Sequence, residues 1–234
     1  MSEAVAIAGP VVFFTGAGMS VSAGLPTYRG AGGLYTNSDL EPPHAGDITI
    51  ERLPGLWQRF RGRLEAGVEL EPTPAHRAIA AFESSLEVAV VTQNVDGLHR
   101  RAGSSRVMEL HGTLAEVRCL DAGHISPVRG IQWGPDGVPL CPECKAWTRP
   151  AVVLFGETLP PDAWRDATRA MSTARTLVAV GTSAEVYPAA GLIASGVCPA
   201  ETRLWVNPET EPPSGDWTWL QGPADDMLAR LVAG

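Results

Sequence analysis

The chain lacks the apolar length needed to cross a membrane. Its longest apolar runs, such as Val88–Thr92 and Thr176–Val180, fall far short of the ~20 residues that a spanning helix requires. Its first residues show no charged segment leading into an apolar stretch and a cleavage site, so no export leader is expected. Clusters of Lys and Arg are missing and the net charge is -8, which argues against a nucleic-acid partner. An acidic surface suits a basic client such as a lysine-rich protein tail, and equally suits plain solubility. Cysteine is scarce: Cys119, Cys141, Cys144 and Cys198 are the only four. Two of them form Cys-Pro-Glu-Cys, which in a chain without an export signal reads as a metal knuckle before a disulfide. A cytoplasmic location is expected. Internal repeats and low-complexity tracts are absent, as is a Ser-His-Asp or Cys-His pattern that would supply an enzyme nucleophile.

What is present is enough for one large domain, or for one carrying a smaller insert. The 234 residues are 44% hydrophobic and 19% charged, and they include 25 Gly and 20 Pro, so a core can form among many tight turns. Val11–Thr15, Val88–Thr92, Thr176–Val180 and Arg203–Val206 read as buried parallel strands. A further run, Val152–Phe155, reads as another. Helices are expected over Pro74–Ser84, after a Thr-Pro start, and over Pro161–Ala174 and Ala224–Val232. The alternation predicts an α/β, Rossmann-like doubly wound sheet. Two regions break it. Tyr28–Glu71 is Gly/Pro-rich and then helical around Leu56–Glu65, and Cys119–Pro150 is short of strand pattern. The expected division is a large lobe of residues 1–27, 72–117 and 151–234, with a small lobe from the inserts 28–71 and 118–150.

Each of the four strands ends in small or polar residues: Gly16-Ala17-Gly18, Gln93-Asn94, Gly181-Thr182-Ser183 and Asn207-Pro208. Ligands of open α/β sheets bind at the carboxyl ends of strands, so this rim is a candidate site. Gly16-Ala17-Gly18 after a strand is how a backbone approaches a pyrophosphate, since glycine removes the Cβ and a helix start offers free N–H groups. A tight turn without a ligand fits the same residues. The acidic residue that ends the second strand of a dinucleotide dehydrogenase is replaced by Gln93, which disfavours that reading.

The loop continues as Ser22-Ala23-Gly24-Leu25-Pro26-Thr27-Tyr28-Arg29-Gly30. It is followed by Thr92-Gln93-Asn94-Val95-Asp96-Gly97-Leu98-His99, then Glu109-Leu110-His111-Gly112, Phe155-Gly156-Glu157, Gly181-Thr182-Ser183 and Val206-Asn207-Pro208. In this order and spacing the motifs resemble the sirtuin family, over nearly the whole chain. The resemblance implies NAD bound in a cleft between a Rossmann-like domain and a lobe with helices and a zinc ribbon. It also implies removal of acyl groups from lysine in a protein or peptide, with release of nicotinamide and acyl-ADP-ribose. His111 is then the catalytic base, a role that a near-neutral imidazole suits, with Asn94 beside it. Asn94 and Asp96 would hold the ribose and the carboxamide, and Gln93 the ribose. Gly16, Ala17, Gly18, Tyr28 and Arg29 would form the cofactor loop. Gly181, Thr182, Ser183 and Asn207 would contact phosphate and ribose, and Ala224 the adenine end. Phe155, Gly156, Glu157, Val186 and Tyr187 resemble two edges that pair with the substrate backbone by strand addition. His76 and His99 read as structural.

The chain departs from the family twice. The family's ribbon has two Cys-x-x-Cys pairs, and here the first reads Cys119-Leu120-Asp121-Ala122. A zinc site needs four ligands. Cys119, His124, Cys141 and Cys144 could supply them, Asp121 is another candidate for the fourth, and a metal-free ribbon held by packing is the alternative. The second departure is in the acyl pocket. The desuccinylase branch has Tyr-x-x-Arg, and the alignment gives Phe60-Arg61-Gly62-Arg63. Arg63 would keep the clamp for an acidic acyl chain without the hydroxyl, or Arg59, Arg61 and Arg63 form a solvated helix face. ADP-ribosyl transfer, NAD glycohydrolysis and a non-catalytic NAD sensor are the competing functions.

Overall fold

In a computed structural model the structure describes residues 6–28, 33–36, 41–194 and 197–233; the side chains of residues 63–69, 194 and 233 fall outside the description. Nine strands run through the described residues. They are β1 (Val11–Thr15), β2 (Val88–Thr92), β3 (Val107–Glu109), β4 (Gly112–Cys119), β5 (Ile125–Pro127), β6 (Thr148–Val152), β7 (Thr176–Val180), β8 (Thr202–Val206) and β9 (Thr218–Leu220). The helices are α1 (Leu53–Glu69), α2 (Pro74–Phe82), α3 (Leu98–Arg101), α4 (Pro161–Thr173), α5 (Gly191–Ala194) and α6 (Ala224–Ala233). None of them is long and apolar enough to cross a membrane.

Six strands form one parallel sheet in the order β3-β2-β1-β7-β8-β9. β1, β2 and β7 are buried along their whole length, which is why they read as unbroken apolar runs rather than alternating ones. Their side chains divide between two faces. Val12 and Phe14 pack with Ala167, Ala170 and Met171 of α4, while Val11 and Phe13 pack with Ile79 and Phe82 of α2 and Leu228 of α6. α2 starts where Thr-Pro predicts, with Thr73 Oγ1 accepting from His76 N at 3.3 Å. Thr15 lies level with Thr92 and with Val180, Thr92 with Glu109, and Val180 with Val206. All the polar strand ends therefore reach one rim. Strand order reverses between β1 and β7, the crevice that ligands of such sheets use.

A second sheet, in the order β5-β4-β6, is antiparallel. It packs on α1 through Leu53, Leu56, Trp57 and Phe60, which meet Val117, Val152 and Leu154. The Trp57 indole donates to Thr148 O at 2.7 Å. The structure corrects the strand expected over Val152–Phe155: that segment instead follows β6, which ends at Val152 and pairs antiparallel with β4. Phe155 makes a single bridge to His44, because the chain turns at Gly156 with φ 86° and Leu154 N is taken by Glu157 at 2.8 Å. β5 and β6 also correct the expectation that Cys119–Pro150 is short of strand, since β5 lies within it and β6 starts at Thr148. β5 has three residues, too few for a period, and β6 is buried nearly throughout, so neither carries a clear alternation.

Candidate active site

The rim of the parallel sheet opens into a cleft of about 1690 Å³. Its floor depends on glycine for a reason the sequence reading missed. The ends of β1 and β7 meet backbone to backbone: Gly16 N donates to Val180 O at 3.0 Å and Gly18 N to Gly181 O at 2.8 Å. A Cβ on Gly18 would lie 2.7 Å from Gly181 Cα, and one on Gly16 2.8 Å from Gly181 O. Met19 N donates to Gly16 O at 3.0 Å, and the segment Ala17–Ala23 is a 3-10 helix. The picture of a loop with several free N–H groups is thus corrected. Gly16, Gly18 and Met19 spend theirs internally, and the glycines allow close packing beneath the cleft.

Asn94 and Asp96 follow β2 and cross to this loop. The Asn94 amide donates to Gly16 O at 3.0 Å and to Ser20 Oγ at 3.3 Å, so Oδ1 is what it can offer a ligand. Ser20 Oγ donates to Asp96 Oδ2 at 2.7 Å, while Asp96 Oδ1 caps Leu98 N at 2.9 Å. Ser20 was missed as a member of this network. The signal was its place in the glycine loop, but the contact spans 76 residues and leaves no local pattern. Gln93 donates from Nε2 to Thr182 Oγ1 at 2.9 Å and ties the β2 and β7 rims together. The Asn207 side chain is also committed internally, to Thr182 O and to the N–H groups of Glu209 and Thr210. Toward a ligand it shapes the wall. Ser183 lies nearby, with Oγ 3.4 Å from Glu185.

His111 stands between β3 and β4. Leu110 N donates to Thr92 O at 2.9 Å and Val153 N to His111 O at 2.8 Å, which fixes the backbone on both sides. Gly112 has φ 73°, and a Cβ there would sit 2.1 Å from Ala151 O, so glycine is required after the histidine. His111 Nδ1 is 2.9 Å from Gln93 O. A carbonyl only accepts, so Nδ1 carries the proton and Nε2 the lone pair. Burial pushes the His111 pKa below its ordinary 6.5, partly opposed by the bond to Gln93, and the ring is neutral at pH 7.

His111, Gln93, Asn94, Asp96, Tyr28, Gly181–Ser183, Asn207 and Ala224 all line this one cleft, with Phe60, Phe155–Glu157, Val186 and Tyr187 at its sides. Arg29 lies outside the described residues, and so does the side chain of Arg63. Arg61 stacks on Trp133 at 5.0 Å and Arg59 reaches Glu41 O at 3.5 Å, so both turn to surface partners. Away from the cleft, donor atoms of Cys119, His124, Cys141 and Cys144 all lie within 4.8 Å of one another. Three sulfurs and an imidazole nitrogen are a donor set that zinc takes, and Asp121 is not among them. Cys198 is a buried core thiol, as expected.

The Sir2 family model matches residues 16–188. The chain belongs to the Sir2 family. This Sir2 protein is 42% identical over 232 residues to NAD-dependent protein deacylase 2 of Pyrobaculum aerophilum, covering 94% of this chain and 89% of that one. It is 40% identical to NAD-dependent protein deacylase Sir2 of Mycolicibacterium smegmatis, with 95% of each chain covered. Among solved structures, a mutant Sir2 homologue in complex with ADP-ribose superposes with a TM-score of 0.86 at 35% identity, over 95% of this chain and 90% of the other. A Sir2 homologue in complex with NAD gives 0.80 at 34% identity, over 95% and 88%. Within this Sir2 protein the cleft residues therefore sit on a scaffold that its relatives share.

Proposed function

We propose that this chain is an NAD-dependent protein-lysine deacylase in which His111 is the base. The observation that carries the reading is the Nδ1–H bond from His111 to Gln93 O, which leaves a neutral imidazole with its Nε2 lone pair at the cleft. The cleft is larger than the ~300–1,000 Å³ of ordinary small-molecule sites, which suits a dinucleotide together with a lysine side chain. NAD supplies the nicotinamide leaving group and the ADP-ribose that receives the acyl chain. His111 accepts a proton from a ribose hydroxyl. Asn94 Oδ1 and the Asp96 carboxylate accept from the sugar and the carboxamide, held in place by Ser20. Gly16–Gly18, Tyr28, Gln93, Gly181–Ser183, Asn207 and Ala224 line the dinucleotide, and Arg29, outside the described residues, is assigned to its phosphates on the resemblance alone. The segments at Phe155–Glu157 and Val186-Tyr187 pair with the substrate backbone. The two lobes divide as residues 1–27, 72–117 and 151–234 against 28–71 and 118–150, and the reaction takes place in the cytoplasm.

Phe60 is buried and carries no hydroxyl, so the pocket favours short apolar acyl groups over acidic ones; removal of succinyl or malonyl would rest on Arg63 alone. The test is mass analysis of products from acetyl-, propionyl- and succinyl-lysine peptides with NAD. Acyl-ADP-ribose is expected, and it should vanish in His111→Ala while NAD still binds. Free ADP-ribose or an ADP-ribosylated protein as the product would replace this reading with glycohydrolysis or ADP-ribosyl transfer. Wild-type turnover by His111→Ala would remove the base.

A further inference from the structure

The two turns that carry the ribbon's donor atoms share one hydrogen-bond pattern. In the second turn, Cys141 N donates to Ala146 O at 2.8 Å, and Lys145 N donates to Cys141 O at 2.9 Å, with Lys145 at φ 62°. In the first, Cys119 N donates to His124 O at 2.8 Å, and Gly123 N donates to Cys119 O at 3.1 Å, with Gly123 at φ 70°. Position for position, Cys119 answers to Cys141, Ala122 to Cys144, Gly123 to Lys145 and His124 to Ala146. Cys144 uses its place to bring Sγ to 3.4 Å from Cys119 Sγ. Ala122 has only a methyl group to offer, although its N–H still donates to Cys119 Sγ at 3.5 Å and the turn keeps its shape. The histidine two residues on has the longer reach. It places Nδ1 3.5 Å from Cys141 Sγ, and its Nε2 lies 3.5 Å from Glu143 Oε2.

Zinc in a tetrahedron, with Zn–S of about 2.3 Å and Zn–N of about 2.0 Å, leaves neighbouring donors roughly 3.5–3.8 Å apart. The 3.5 Å sulfur–nitrogen separation matches the short end of that range, the 3.4 Å sulfur–sulfur one is a few tenths of an ångström below it, and all four donors lie within 4.8 Å of one another. We propose that His124 Nδ1 is the fourth ligand of a structural zinc ion, standing in for the thiolate that Ala122 cannot supply. Glu143, inside the Cys-Pro-Glu-Cys knuckle, is its positioning residue. A ligating Nδ1 must be unprotonated, so the ring proton sits on Nε2, which faces the Glu143 carboxylate at 3.5 Å, and that contact favours the tautomer and ring plane that ligation needs. The family's first pair of cysteines is thus replaced by one cysteine and a histidine with its own carboxylate. None of the four ligands lines the cleft, so the site stands whether or not the deacylase reading holds.

The test uses the full chain purified with zinc supplied, its metal content measured by elemental analysis and its zinc release followed with a chromogenic chelator. Wild type should hold one equivalent. His124→Ala should lose it at least tenfold faster, and Ala122→Cys combined with His124→Ala should restore retention. Glu143→Gln should keep one equivalent and release it about tenfold faster, the low end of what such carboxylates contribute, because this one is largely exposed. The cobalt-loaded wild type should absorb as a three-sulfur, one-nitrogen site, and the double variant as a four-sulfur site. A wild type that takes up no metal overturns the proposal, as does a His124→Ala protein that retains zinc like wild type. Should His124→Ala fail to fold, a wild-type cobalt spectrum without the three-sulfur, one-nitrogen signature has the same force. Unchanged release from Glu143→Gln removes the positioning role alone.

Discussion

His111 Nδ1 lies 2.9 Å from the main-chain carbonyl oxygen of Gln93, so the imidazole is oriented by backbone that no side-chain substitution can remove. Burial holds its pKa below 6.5. With His111 as the proposed base, the neutral form is the one that acts, so kcat/KM should be flat near pH 7 and above, and fall as pH drops through a value lower than that of free imidazole. Removing the ring should cost about 10²–10⁴-fold in rate. A pH–rate profile with its acidic limb centred above 6.5 would contradict this assignment.

The sheet was legible because its central strands are buried on both faces. β1, β2 and β7 read as continuous apolar runs, and their bounds match the expectation to the residue. β3 and β9 were not legible, since three residues carry no period. At the site, His111, Asn94 and Asp96 could be picked out as motif residues. The reason for Gly16 and Gly18 could not, because the backbone they press against arrives from Gly181, far along the chain. His124 was nameable as a ligand candidate from composition, but the matching hydrogen-bond ladder of the two turns exists only in three dimensions.

Gly18 and Gly24 offer a controlled comparison. A methyl at Gly18 would drive into the backbone of Gly181 at 2.7 Å, whereas Gly24, at φ 92°, has open space around its Cβ position. Gly18→Ala should displace the two strand ends, cost about 1–3 kcal/mol and abolish NAD binding. Gly24→Ala should cost about 1 kcal/mol through backbone strain alone and leave NAD affinity within a few-fold. Calorimetric titration with NAD separates the two. Equal losses of affinity would mean that the loop contacts matter less than its general order.

Arg149 and Glu157 form an ion pair that fastens the segment bearing Phe155. Arg149 Nη2 donates to Glu157 Oε2 at 2.9 Å and to Val152 O at 2.6 Å, and Glu157 also accepts from Leu154 N. Burial alone would raise the Glu157 pKa, but the Arg149 guanidinium and the Leu154 N–H overcome it and hold the carboxyl below its ordinary range. Removing one partner of a fully buried pair costs about 3–5 kcal/mol. Glu157 keeps a quarter of its side chain exposed, so Arg149→Met should cost about 2 kcal/mol. The Phe155 segment should also loosen, and KM for an acyl-peptide rise more than kcat falls. Urea unfolding and steady-state kinetics measure both, and an unchanged KM would show that the pair is structural only.

The pair His76 and His99 should make the protein sensitive to acid. Both rings are buried, with centroids 4.6 Å apart, and Thr73 and Thr15 hold one nitrogen of each. Desolvation drives the His76 pKa down to about 4, and that of His99 well below 6.5, with His76 adding to the effect. In the unfolded chain both take a proton near pH 6.5, and in the folded chain His76 does so only near 4. The unfolded state therefore binds more protons across that window, and stability falls as pH drops from 6.5 toward 4. The His76 share is on the order of 3 kcal/mol, constant below that window and absent above it. His76→Gln should be less stable than wild type at pH 7.5, because a packed ring is lost, yet its stability should decline less steeply on acidification. Denaturant midpoints at intervals between pH 7.5 and 4 give the two slopes, and parallel curves would place the acid sensitivity elsewhere.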